Sequence, residues 1–421
     1  MDKFFIVGGN HLNGEIEIDS AKNSLLPIIA ACILVEDEII LKKVPKYSDV
    51  IAMCKILENL GGKVDWQEDN LIINCKQLSS NEVPNELASP VRASIFTLGA
   101  IISRLKSAKV SYPGGCDIGL RPIDIHLNGL KSLGCKIVEK NGYIYADGTN
   151  AKSGDFMLSF PSVGATENLM MFASLLEGET RIFNPAREPE IVDLQNFINK
   201  CGGDIHGAGS NMIVVNGVER LKGCEYQTIP DRIETGTYMI ATAMCGGRVV
   251  LKNTKIEHNQ VLMAKLINSH CKVFSKDDKI IISSSGRPHT FGEIETAVYP
   301  GFPTDLQAQM MALASISKGY SLICENLFES RFKHVGELIK LGADIRCKNG
   351  ICIVSGKKKL YGANVSATDL RGGASLVLAG LVAEGYTTIA NIELIDRGYF
   401  KIEEKLSHIG GDISRIKENK N

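Results

Sequence analysis

Apolar residues along this chain fall into three patterns that return together about every 70 residues. The first is an amphipathic stripe. Val50, Met53, Cys54, Leu57 and Leu60 share one face at helical spacing, and Gly61 stands where a C-terminal cap belongs. The second is a hairpin just after the stripe: "CKIVEKNGYIYADG" and "ADIRCKNGICIVSG" both place Asn-Gly at the turn. The third is a run that is apolar on nearly all sides, as in "LLPIIAACIL", "SIFTLGAII", "NLMMFASLL", "TYMIATAM", "QAQMMALASI" and "ASLVLAGLV". Such a run predicts a helix surrounded by other elements. The junction of stripe and hairpin recurs as "LGGKV" at 60, "LGCKI" at 133, "CGGDI" at 201, "SHCKV" at 269, "LGADI" at 341 and "IGGDI" at 409. These six units fill the chain, and each is too long for a solenoid repeat, so each reads as a small α+β module. One core does not grow to that size, which predicts two domains of three modules.

The residues that open the buried helices carry the chemistry. They are Lys22, Arg92, Ser162, Arg232, Asp305, and Asp369 with Arg371; the first four are each 70 residues apart and so occupy one equivalent position. A helix N-terminus presents unpaired N–H groups and partial positive charge, which suits an anion. The outer, amphipathic helices are expected to open with Arg121, Arg187, Arg331 and Arg397. Arginine's planar fork fits carboxylate and phosphate oxygens. Two facing three-module domains would therefore enclose an arginine-rich cleft for a substrate with several negative groups.

Two residues stand out against that cationic background. Cys116, in "KVSYPGGCDIGLRPIDIH", lies among glycines with Arg121 five residues on. That setting exposes a thiol and lowers its pKa; the same residue also reads as an ordinary turn cysteine. Asp305 breaks the repeat pattern with a negative charge. It reads as a general base for a substrate hydroxyl, or as a plain N-cap.

Composition narrows the class. Net charge is −1 with 44% apolar and 23% charged residues, which argues against a broad nucleic-acid surface. No apolar run reaches membrane-helix length, and the first residues lack a signal-peptide pattern. The 12 cysteines show no C-x-x-C pair and no zinc spacing. The expectation is a cytoplasmic protein whose thiols are mostly small core residues, with no metal and no organic cofactor. Neither a phosphate-binding P-loop nor a dinucleotide fingerprint is present.

The segments "AKNSLLPI", "VRASIF", "PGGCDIGLRPIDIH", "SVGATEN", "AREPEIVDL", "PDRIETGTY", "FPTDLQAQ", "ATDLRGGASLVLAG" and "IDRGY" run the length of the chain. In them the sequence resembles the enolpyruvyl transferases, and within that family the branch acting on UDP-N-acetylglucosamine. The resemblance implies an α/β fold of α+β modules: a two-domain inside-out α/β barrel of six βαβαββ-type repeats. It assigns residues 22–229 to one domain and 1–21 with 230–421 to the other, with the active site in the cleft between them. It implies transfer of enolpyruvate from phosphoenolpyruvate to the sugar 3-hydroxyl with release of phosphate. That is the first committed step of peptidoglycan synthesis, and so of cell wall biogenesis, cell shape and cell division. The sister reaction on shikimate 3-phosphate, and a non-catalytic UDP-sugar binder, are the competing readings.

By the same resemblance Cys116 is the proton donor on a mobile loop and the residue alkylated by fosfomycin. Asp305 takes the hydroxyl proton, and Lys22 joins them in catalysis. Lys22, Asn23, Arg121, Arg371 and Arg397 match phosphoenolpyruvate contacts. Asn23, Arg92, Arg121, Pro122, Ile123, Asp124, Ile125, Ser162, Val163, Gly164, Asp305 and Leu327 match positions around the UDP-sugar. Arg232, Arg331 and Asp369 support the cleft. Two positions depart from the family pattern: Phe160 replaces a basic residue found in some members, and Tyr299 stands where many have His.

Overall fold

A computed structural model describes residues 2–417 apart from 115–117 and 120–121. The chain divides into two compact units. The first unit takes the described residues between Ser20 and Ile229 except Ile118 and Gly119; the second takes 2–19, these two residues and 230–417.

Each unit contains three four-stranded sheets with one common plan. An outer strand runs parallel to a central strand, which pairs with the first of two further antiparallel strands; in five sheets these two form a hairpin, and in the sixth they come from opposite ends of the chain. In one such sheet Glu82–Val83 lies parallel to Ser107–Ser111, and Ser107–Ser111 is antiparallel to Tyr143–Asp147, which pairs in turn with Lys136–Lys140. The Asn-Gly hairpins form as the sequence predicts. Asn141 and Gly142 have φ of 54° and 76°, and Asn349 and Gly350 have 52° and 76°, the paired left-handed geometry of a tight two-residue turn. Cys347 and Cys352 face each other across the second hairpin and are joined by a disulfide, which their spacing did not suggest.

Three sheets are completed by distant parts of the chain. Glu225–Tyr226 pairs with Ile39–Leu41 and supplies the outer strand of the first unit's first sheet. Leu12–Glu17 does the same beside Gly247–Lys252. Lys3–Val7 inserts between Tyr386–Ala390 and Asp412–Ile416, antiparallel to both.

The all-round apolar runs are helices, and they are buried. In the first unit they are Lys22–Ala31, Thr97–Leu105 after the 3-10 turn Arg92–Phe96, and Val163–Ala173. In the second they are Arg232–Cys245, Gln307–Ile316 after the turn Thr304–Leu306, and Leu370–Val382. Several polar groups inside these bundles tie the helices together. Asn168 Oδ1 accepts from Gly99 N–H at 2.7 Å while its Nδ2 donates to Ile95 O at 2.9 Å, locking two first-unit helices together. In the second unit Gln309 Nε2 donates to Tyr399 Oη at 3.0 Å and to Thr237 Oγ1 at 3.2 Å. The amphipathic helices, such as Ser48–Asn59 and Pro189–Lys200, bury one face only. Among the described residues no helix is long and apolar enough to cross a membrane.

Candidate active site

Lys22 is the first residue of its buried helix, and it is itself buried. Its ammonium donates to Asp49 Oδ2 at 3.1 Å, and Asp49 lies in the first turn of the amphipathic helix Ser48–Asn59. Asn23 follows, half-buried. Arg92 opens its 3-10 turn, and its Nη1 donates to Pro113 O at 3.4 Å. Ser162 caps helix Val163–Ala173, its Oγ accepting from Ala165 N–H at 3.4 Å. Gly164 is required where it stands. A Cβ there would come 2.9 Å from the Phe96 ring and 3.0 Å from that of His126. Pro122 and Ile123 lead into helix Asp124–Ser132, which Asp124 and Ile125 begin. Phe160 is exposed.

In the second unit the charges form a compact cluster around Asp305. Its carboxylate accepts from Arg331 Nη2 at 2.5 Å and from Arg371 Nη2 at 2.9 Å. Arg331 also donates to Thr304 O at 3.3 Å, and its Nη1 lies 4.0 Å from Asp369 Oδ1. Both guanidiniums are about 3% exposed, while Asp305 keeps 27% of its side chain accessible, so the carboxylate is the accessible end of the cluster. Arg331 Nε and Arg371 Nε and Nη1 have no hydrogen-bond partner among the described residues. These are buried, charged donors of the kind an anionic group satisfies. Burial works to lower the Arg371 pKa, but the Asp305 carboxylate, Tyr399 and Asp231 more than offset it, so the guanidinium stays charged.

Asp369, not Asp305, is the helix cap here. Asp369 Oδ1 accepts from Arg371 and Gly372 N–H at 3.0 Å each, whereas the turn holding Asp305 starts at Pro303 without a side-chain cap. That removes the N-cap reading of Asp305. His334, fully buried below this cluster, is pushed down to about 4 by burial, with Arg331 adding to the shift against Asp369. It is a neutral imidazole at physiological pH.

Leu327 is positioned by a residue the sequence reading passed over. Glu325 Oε1 accepts from Leu327 N–H at 2.9 Å and Phe328 N–H at 3.1 Å, while Oε2 accepts from Thr304 Oγ1 at 2.9 Å. One carboxylate thus couples the Leu327 loop to the turn carrying Asp305. Ile118 O accepts from Ser330 N–H at 3.1 Å in the same region. Arg232 opens its helix with its guanidinium 5.8 Å from the Tyr299 ring centre. Both residues line a cavity with His258, Asn259 and Leu306. Arg397 is half-buried in the turn after Ile392–Leu394. Cys116 and Arg121 lie outside the described residues.

One expectation is corrected. The arginines do not open the amphipathic helices: Arg187, Arg331 and Arg397 precede helices starting at Pro189, Val335 and Ile402, and so sit in the loops before them. A loop lets the long side chain turn away from its own helix, as Arg331 does toward Asp305. Two further carboxylates were missed, Asp49 and Glu167. Glu167 lies fully buried in "GATENLMMF", and neither carboxylate oxygen has a partner among the described residues. Burial, reinforced by Glu190 and Glu188, raises its pKa well above the ordinary range and favours the neutral acid. An acid in an otherwise apolar helix was the available signal for Glu167. Asp49 had none, because acids are common in first turns.

A family profile described as EPSP synthase (3-phosphoshikimate 1-carboxyvinyltransferase) matches residues 6–406. The chain belongs to this enolpyruvyl transferase family. Within the family it is 48% identical over 425 residues to a Thermotoga petrophila protein named UDP-N-acetylglucosamine 1-carboxyvinyltransferase, covering 100% of both chains. It is 46% identical over 416 residues to UDP-N-acetylglucosamine 1-carboxyvinyltransferase 2 of Caldanaerobacter subterraneus subsp. tengcongensis, covering 99% of this chain and 100% of that protein. Among solved structures, the enolpyruvyl transferase NikO from Streptomyces tendae superposes with a TM-score of 0.88 at 22% identity, covering 98% of each chain. EPSP synthase from Acinetobacter baumannii gives 0.76 at 17% identity, covering 99% of this chain and 100% of that one. At such identities these two establish the enolpyruvyl transferase fold, in agreement with the six-module reading.

Proposed function

We propose that this chain transfers the enolpyruvyl group of phosphoenolpyruvate to the 3-hydroxyl of UDP-N-acetylglucosamine, releasing inorganic phosphate, as a cytoplasmic step of peptidoglycan synthesis. The reading is carried by end-to-end identity of 46–48% with relatives named for that activity. The Asp305 cluster supports it.

In this reading the residues fall into two sets, one for each substrate. Lys22, Arg121, Arg371 and Arg397 hold the phosphate and carboxylate of phosphoenolpyruvate, with Asn23 beside them. Arg92, Pro122–Ile125, Ser162–Gly164 and Leu327 hold the UDP-sugar. Asp305 takes the proton of the 3-hydroxyl as that oxygen bonds to C2 of phosphoenolpyruvate, and Cys116 gives its proton to C3. The tetrahedral adduct then breaks its C2–phosphate oxygen bond, the phosphate leaving with the proton held by Asp305, and the Cys116 thiolate takes back a methyl proton as the double bond re-forms. What supports this role is that the Asp305 carboxylate stays partly accessible while two guanidiniums hold it.

Phosphate release from phosphoenolpyruvate, measured with UDP-N-acetylglucosamine and separately with shikimate 3-phosphate, tests the reading. Turnover with the UDP-sugar alone is expected. Turnover only with shikimate 3-phosphate, or with neither, overturns it. The proposed role of Cys116 makes it the site of covalent inactivation by fosfomycin. Cys116→Asp, which keeps an acidic proton, is expected to turn over and to resist the drug; irreversible inactivation of that variant would refute the assignment.

A further inference from the structure

Two thiols of the first unit, away from the candidate site, lie within reach of each other. Cys201 caps the C-terminus of helix Pro189–Lys200, and Cys224 directly precedes the edge strand Glu225–Tyr226. Their sulfurs are 3.3 Å apart, against about 2.05 Å in a disulfide. Cys201 is buried and Cys224 half-buried, so Cys224 is the more accessible residue of the pair. Both segments are held by the backbone: Lys222 N–H donates to Cys201 O at 2.7 Å, and Ile40 N–H donates to Cys224 O at 3.0 Å.

The surroundings separate the two sulfurs chemically. The hydrogen bond with Cys201 lowers the Cys224 pKa against the effect of burial, and Lys200 lowers it further. The same hydrogen bond, followed by burial, raises that of Cys201. Other first-unit thiols differ: burial pushes Cys54 and Cys75 up to about 12 each. A more acidic, half-exposed thiol touching a buried partner is the arrangement of a peroxide-reactive cysteine with its resolving thiol.

We propose that Cys201 and Cys224 form a reversible redox pair that hydroperoxides convert to a disulfide. The Cys224 thiolate attacks the peroxide O–O bond; the sulfur becomes a sulfenic acid and the alcohol or water departs. Cys201 sulfur then displaces the sulfenic hydroxyl, which leaves as water with the Cys201 proton. Both thiols are oxidised by one peroxide, and a dithiol reverses the change by exchange. The bond ties the amphipathic helix to the strand that completes the first sheet, so it fastens the unit's closing seam.

The full chain is treated with hydrogen peroxide, alkylated, digested without reduction and mapped by mass spectrometry. A linked Cys201–Cys224 peptide that dithiothreitol separates is expected. Cys224 is expected to be lost to alkylation about tenfold faster than half-exposed Cys324, whose pKa burial and then Glu293 and Glu295 raise. In Cys201→Ser the Cys224 sulfenic acid persists and is trapped by dimedone. The proposal fails if both residues remain alkylatable after Cys324 has been oxidised, or if Cys224 is linked elsewhere. Should the serine variant not fold, peptide mapping of the native chain alone decides between these outcomes.

Discussion

Lys22 and Asp305 mark comparable points of the repeated module with the charges exchanged. In the first unit a cation opens the buried helix, and a carboxylate on the amphipathic helix, Asp49, holds it. In the second a carboxylate sits in the opening turn and guanidiniums hold it, one from the loop before the amphipathic helix and one from the next buried helix. The fold supplies the same placement twice, and charge decides the task. A buried lysine steadied by one acid suits an anionic ligand. An accessible carboxylate steadied by two arginines suits accepting a proton in a fixed direction.

The largest effect should come from removing the proton acceptor. Asp305→Asn keeps the shape and hydrogen-bonding reach but loses basicity, and kcat is expected to fall roughly 10²–10⁴-fold with KM for the UDP-sugar changed far less. A matching rise in KM with kcat intact would make Asp305 a binding residue instead. On the other side of the comparison, Lys22→Met should lower kcat/KM for phosphoenolpyruvate by about 10²–10³-fold. Asp49→Asn, which only loosens the lysine, should lower it about tenfold. An Asp49 variant as damaged as the Lys22 variant would mean the pair acts as one group. The smallest effect concerns stability. Glu167 binds its proton more tightly in the folded chain than its ordinary value of 4.5 allows, so the unfolded chain holds fewer protons above that pH and stability falls as pH rises. Glu167→Gln should leave Tm near that of the native chain at about pH 5 and raise it by several degrees at about pH 8. An equal shift at both pH values would refute the linkage.

Much of the fold was legible because it repeats. Helix stripes and all-apolar runs recur with the repeat and Asn-Gly turns mark two of its hairpins, so each weak local signal is supported by its counterparts. The closing strands were harder to read. Glu225–Tyr226 is two residues long and carries no period, and its partner lies almost 200 residues earlier. Helix-opening residues were found from the 70-residue spacing, yet their partners were not. Nothing in "KYSDV" or "ICENLF" distinguishes Asp49 or Glu325 from an ordinary surface acid; only the folded chain brings them to Lys22 and to the Asp305 turn. The two readings of Asp305 likewise needed the folded chain, because sequence cannot tell whether an acid at a helix start bonds helix N–H groups, as Asp369 does, or faces guanidiniums, as Asp305 does.

The placement of Lys3–Val7 between strands from the far end of the chain has a consequence for how the protein is made. This strand leaves the ribosome nearly 400 residues ahead of its partners, Tyr386–Ala390 and Asp412–Ile416. At about 5–20 residues per second the wait is roughly 20–80 s. Residues 20–229 contain both partners of every sheet in their own unit and can fold during that interval. The nascent protein therefore carries a unit able to finish folding beside an apolar strand whose edges stay open until those partners emerge.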